Sequence, residues 1–300
     1  MSSERLSPRG LAAAGAAFTI WGLFPVYLHA LSAVPSVQII AHRVAWSCLF
    51  LLTWMRVRGE LGRLTMTLGR PRLLAGLGAS SLLISCNWLV YVWSVTHQHI
   101  VESSLGYYIN PLVNVLLGVL VLRERPNRVQ WSAIAVAALA VLYLAVQAGR
   151  PPWIAFALAV SFSLYGFVRK VISVDALPGL ATETLLLLLP ALGFLTWCEA
   201  AGVAAFGHAG PGISWLLAGS GIVTAVPLFL FAYGARLLPY STVGVLQYIG
   251  PSLQLACGVL FYHESFEPAR AVGFALLWAA LILYAADGVW RARTLARAGA

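Results

Sequence analysis

An arginine inside a long apolar stretch is the sharpest chemical feature of this sequence. His42 and Arg43 sit in such a stretch, where a charge needs either a partner or water. Arg43 lies about six residues, roughly 9 Å, from the nearer end. Its stem is long enough to snorkel toward the interface. A paired or cavity-facing role is the favoured reading, with Glu102, at matching depth in another stretch, as the expected partner. Glu183 and Asp287 fall near the opposite ends of their stretches, too far away to pair.

Two prolines form the second feature. Pro111 and Pro251 are expected to interrupt two apolar helices at equivalent positions, each freeing a carbonyl one turn earlier. Carbonyls freed in mid-membrane must face protein or water. Asn114 and Gln254 stand three residues past each proline, and Asn110 directly precedes the first. The plain alternative is a packing kink with each amide bonded to a neighbour. Corresponding breaks in two halves favour a transport site. Asn87 and Tyr91 share a helical face beside Trp88 and Trp93. With Tyr107, Gln247 and Tyr248 they are candidates to line a path, although such aromatics often only anchor a helix. His97, His99, His208 and His263 fall near helix ends, where solvation is enough.

Enzyme chemistry has no foothold. HESFE, from His263 to Glu267, opens like a zinc-protease motif but lacks the second histidine. Neither a phosphate-binding loop nor a nucleophile elbow occurs. Cys48, Cys86, Cys198 and Cys257 each lie within an apolar run and read as small buried hydrophobes. No cofactor and no metal site is expected.

The elements that must position these residues are membrane helices. Of 300 residues, 60% are hydrophobic and 10% charged, and mean hydropathy is +0.84. That leaves too little polar surface for a soluble domain of this size, so lipid is the expected outer partner. The +9 charge is spread over short gaps rather than gathered in a patch, which argues against nucleic acid. Ten stretches are long enough to span: roughly 10–29, 38–55, 73–95, 102–122, 129–147, 152–170, 180–200, 214–235, 241–262 and 269–289.

A repeat runs through them. Tyr107–Glu124 recurs as Gln247–Glu264 at an interval of 140, and the matches include Tyr108/Tyr248, Pro111/Pro251, Gly118/Gly258 and Glu124/Glu264. FTIWG at Phe18–Gly22 resembles FSLYG at Phe162–Gly166, so the first stretch reads as a retained helix rather than a signal. With the N-terminus inside, sixteen of the nineteen basic residues fall on the inner side. Arg150 and Arg270 fall outside, and Arg43 lies within a helix. Both termini are thus expected in the cytoplasm. Five helices per half is an odd number, so residues 1–148 and 149–300 should be inverted repeats of an all-α integral membrane protein.

The paired pattern Pro111, Gly118, Glu124 and Pro251, Gly258, Glu264 resembles the EamA repeat of the drug/metabolite transporter superfamily. IWGLFPVY (Ile20–Tyr27), AHRVAWS (Ala41–Ser47), NWLVYVWSV (Asn87–Val95), ESSLGYYINPL (Glu102–Leu112) and LQYIGPSLQ (Leu246–Gln254) are similar to its RarD branch. The resemblance covers nearly the whole chain. It implies a bacterial inner-membrane permease of ten helices. The path would run between the first four helices of each half, with the fifth and tenth peripheral. No residue-level site carries over from it. The expected function is secondary transport of a small organic solute, a metabolite or drug, by alternating access. The rival is a non-transporting membrane receptor or assembly factor, which the short loops disfavour. The reading leaves room for a homodimer.

Overall fold

Long runs of Ala, Leu, Val and Ile must become helix once water is removed, because each segment then has to satisfy its own N–H and C=O groups. A computed structural model describes residues 7–121, 127–147, 149, 151–172, 174–238 and 246–298. Among these there is helix and no strand.

The elements are α1 (Pro8–Gly22), α2 (Phe24–His29), α3 (Ser36–Val57), α4 (Leu61–Leu68), α5 (Pro71–Thr96) and α6 (Ile100–Leu120). They continue with α7 (Arg128–Gln147), α8 (Trp153–Val171), α9 (Ala176–Ala200), α10 (Pro211–Leu237), α11 (Ile249–Ala256) and α12 (Pro268–Ala298). Between α11 and α12 a π-helical turn covers Cys257–Phe261. Six stretches have the length and apolar composition of a membrane span: Pro8–His29, Ser36–Val57, Pro71–Thr96, Arg128–Gln147, Ala176–Ala200 and Pro211–Phe231. The short α4 lies in what reads by sequence as a bare connection, with Leu64 and Thr67 turned inward.

Neighbouring helices follow a simple rule. α1 packs on α10, α10 on α3, α3 on α9, α9 on α5, α5 on α8, α8 on α6, α6 on α11, and α11 on α1. The chain thus closes a ring in which segments from residues 1–148 alternate with segments from 149–300. α7 and α12 pack chiefly on each other, outside the ring.

Small residues permit the close crossings, as they do between membrane helices generally. A Cβ on Gly221 of α10 would lie 2.5 Å from the backbone of Trp46 in α3. One on Gly106 of α6 would lie 2.8 Å from the Ala155 carbonyl in α8. Large apolar side chains point outward as well as inward, and several polar ones are enclosed. Leu189, Trp215 and Ile282 are exposed, while Gln38, Arg43, Ser80, Asn87, Glu183 and Gln254 are buried. Each exposed large side chain would forgo about 1.5–3 kcal/mol in water. Lipid removes that penalty, and the protein is a multi-pass membrane protein.

Three expectations change here. α6 runs without interruption through Pro111, so the fourth helix is not broken there. Pro251 instead sits in the first turn of α11, just past a turn at Gln247–Tyr248. Cys86 is exposed on α5, unlike the other three cysteines, because an outward position on a lipid-facing helix tolerates a small apolar thiol. Glu124 of the repeat lies outside the described residues.

Candidate functional site

Arg43 is carried into the ring by α3, which begins at Ser36 after Pro35. Only 6% of it is accessible. The close crossing at Gly221 brings Thr224, one turn further along α10, against it. Arg43 Nε donates to Thr224 Oγ1 at 2.7 Å, and that hydroxyl donates in turn to the Ser220 carbonyl at 2.8 Å. Aromatic rings supply the remaining contacts. The guanidinium carbon lies 4.3 Å from the Trp88 ring centre and 4.8 Å from that of Phe24. Phe24 stacks on Tyr27 at 5.5 Å and on Tyr91 at 6.2 Å, and Tyr91 meets Tyr107 edge-on at 5.7 Å. Tyr27, Tyr91 and Tyr107 all lie within electrostatic reach of Arg43. Arg43 Nη1 and the Tyr91 hydroxyl are buried and, among the described residues, have no hydrogen-bond partner.

The expected pairing of Arg43 with Glu102 is not there. Among the described residues no ion pair joins them, and Glu102 Oε1 accepts from the Ile154 N–H at 3.1 Å, at the start of α8. Matching depth does not bring two side chains together when their helices turn them to different neighbours. His42, one residue from Arg43, faces away from it. Its ring lies 5.2 Å from Phe206, beside a cleft of about 200 Å³ lined also by Gln38, Thr196 and Glu199. Gln38 ties the connection after α9 to α3: its amide donates to the Val203 carbonyl at 2.8 Å and accepts from Ala205 N–H at 2.9 Å.

Other candidates divide between packing and site. Asn87 donates to the Leu158 carbonyl and Ser161 Oγ, each at 3.0 Å, which joins α5 to α8. Asn110 accepts from Ser163 Oγ. Tyr108 and Tyr248, partners in the sequence repeat, stack on each other at 6.3 Å, and Tyr108 shares a 2.6 Å hydrogen bond with Ser252. Gln247 and Tyr248 form the turn that leads into α11. The two amides expected to be equivalent differ. Asn114 is exposed, whereas Gln254 is buried, donates to the Trp21 carbonyl at 3.2 Å, and has an Oε1 without a partner among the described residues.

Sequence reasoning passed over a second buried charge. Glu183 in α9 is 1% exposed. It accepts from Ser80 Oγ of α5 at 2.5 Å and from the Tyr165 hydroxyl of α8 at 3.4 Å, and Arg169 Nη1 stands 3.6 Å away. Arg169 lies across Gly179, where any Cβ would collide with the guanidinium. A signal for Glu183 was present: it follows Arg43 by the same interval of 140 that relates the two repeats. Each is seven residues past the first residue of its helix.

Comparison with known proteins places the fold and its lineage. Residues 8–146 match the model of the EamA-like transporter family. Protein RarD of Streptomyces exfoliatus is 43% identical over 98% of this chain and 93% of its own. An uncharacterized transporter of Bacillus subtilis, YojE, is 42% identical over 92% and 93% of the two chains. One crystal structure, 18% identical, superposes over 92% of this chain and 96% of that one with a TM-score of 0.59, a likeness of fold alone. The chain is therefore a member of the EamA-like transporter family and, within it, of the RarD-type permeases.

Proposed function

We propose that the protein moves a small organic solute across the bacterial plasma membrane, without ATP, by alternating access of two five-helix halves. In this reading α6, α8, α12 and the segment of α11 with its π turn also cross the membrane. Together with the six long apolar stretches they make ten crossings. The halves, residues 1–148 and 149–300, are then inverted, and the basic residues put both termini in the cytoplasm. The observation that carries the reading is the alternating ring with polar groups inside it and buried charges at matching positions of both halves. Such groups are costly in a purely structural core and are usual along a solute path.

The test is flux in proteoliposomes loaded with matched anionic, neutral and cationic organic solutes, with and without an imposed pH gradient. Saturable counterflow that requires the protein is expected. Absence of flux for all three classes would leave the receptor reading in its place. A reporter fused near Glu267 should read outside, and a cytoplasmic signal there would break the inversion.

A further inference from the structure

We infer that the transported solute is an organic anion on a planar apolar body, and that Arg43 with its aromatic neighbours recognises it. The inference rests on the transporter reading and narrows it to a substrate class.

The first step is charge. Arg43 is buried, and among the described residues no carboxylate pairs with it. Several acids have partners of their own: Glu102 on the start of α8, Glu183 with Arg169, Glu199 with His208, and Glu264 on the N–H groups of Ile100 and Val101. A buried cation without a counter-ion is held at a free-energy cost. An entering anion removes that cost, a neutral solute leaves it, and a cationic solute raises it.

Donors come next. One guanidinium nitrogen already serves Thr224, which fixes the plane of the group. Among the described residues Nη1 has no acceptor, and the Tyr91 hydroxyl, on a residue 4% exposed, has no partner either. A single acidic group can take hydrogen bonds from both kinds of donor. Bonds to a charged acceptor are the strong ones.

Shape is the third step. The rings of Phe24 and Trp88 face the cation, Phe24, Tyr27 and Tyr91 form a stacked series, and Tyr107 meets Tyr91 edge-on. Such walls offer flat apolar contact and few further hydrogen bonds. They suit a planar body better than a sugar or a polyol, whose hydroxyls would go unpaired.

The experiment titrates the full chain in detergent with naphthoate, its isosteric amide naphthamide, naphthylmethylammonium and acetate, reading affinity by calorimetry. Naphthoate should bind about ten-fold or more tighter than naphthamide, since a charge-assisted bond is gained. The ammonium should bind more weakly still. Acetate, with charge but no ring, should trail naphthoate by about ten-fold or more. Arg43→Gln should erase the preference for naphthoate over naphthamide, and Arg43→Lys should keep its direction at lower affinity. Equal affinities, no binding, a preference for the cation, or an unchanged preference in Arg43→Gln would each overturn the inference. The wild-type ranking decides the matter even if the variants fail to fold. Equal flux of naphthamide and naphthoate in proteoliposomes would sink the anion inference and leave transport standing. Selective binding of naphthoate with no flux would do the reverse.

Discussion

Arg43 and Glu183 occupy the same address in the two halves and live differently there. Each is a buried charge seven residues into its helix, and each meets a hydroxyl from the other half: Thr224 for Arg43, Ser80 for Glu183. Around Glu183 the site is closed, with an opposite charge, a phenol and a hydroxyl on one carboxylate. Around Arg43 it is open in the chemical sense. Rings replace the counter-charge, whereas Arg169 stands beside Glu183; among the described residues a guanidinium nitrogen lacks a hydrogen-bond partner at both places. The contrast teaches that two charges 140 residues apart, each seven residues past the start of its helix, can both be buried while only one gains a counter-ion. In the inference drawn above, the charge without a counter-ion is the one that meets the solute.

The strongest way to break this comparison is at Glu183. Glu183→Ala should cost about 3–5 kcal/mol, because it strands Arg169 beside a low-dielectric crossing. Adding Arg169→Ala should recover part of the loss. Thermal unfolding of the detergent-solubilised variants measures both. A loss below about 1 kcal/mol would mean that the closed site contributes nothing special.

The second change is gentler. Arg43→Met should leave stability within about 1 kcal/mol of the parent in either direction. Replacing an unpaired buried charge by an apolar side chain is often neutral or stabilising, against a cation–π loss of about 0.5–2 kcal/mol. A loss as large as that of Glu183→Ala would show Arg43 to be equally completed, and the contrast would collapse.

Smallest of all is the coupling between Arg43 and Glu102. A double-alanine cycle should return less than about 0.5 kcal/mol, as for residues that share no contact. A coupling energy several times larger would restore the pairing that depth alone suggests.

Sequence was most informative where one dimension is enough. Apolar runs located the helical stretches, and spacing put Tyr91 in a cluster of aromatics. It was weak where rotation about a helix axis decides. Depth put Glu102 level with Arg43, but the side chain turns to Ile154. Symmetry made Asn114 and Gln254 equal, yet one is exposed and the other is packed on Trp21. Depth along its helix puts Glu183 too far from Arg43 to pair with it, and says nothing of other partners. Only the neighbouring α5 and α8 reveal that it is enclosed. Extending the interval of 140 beyond the matched motif would have singled it out.

The alternating ring also dictates the order of events at the ribosome. Arg43 meets its hydrogen-bond partner 181 residues later in the chain. At usual elongation rates that is a delay of roughly ten to forty seconds. Asn87 similarly waits for Leu158 and Ser161. Half of the ring therefore sits in the bilayer with its polar side chains uncovered while the other half is still being made. Helices of this kind insert first and associate afterwards. A nascent chain halted near its midpoint would present Arg43 to the membrane without the Thr224 hydroxyl that meets it in the complete fold.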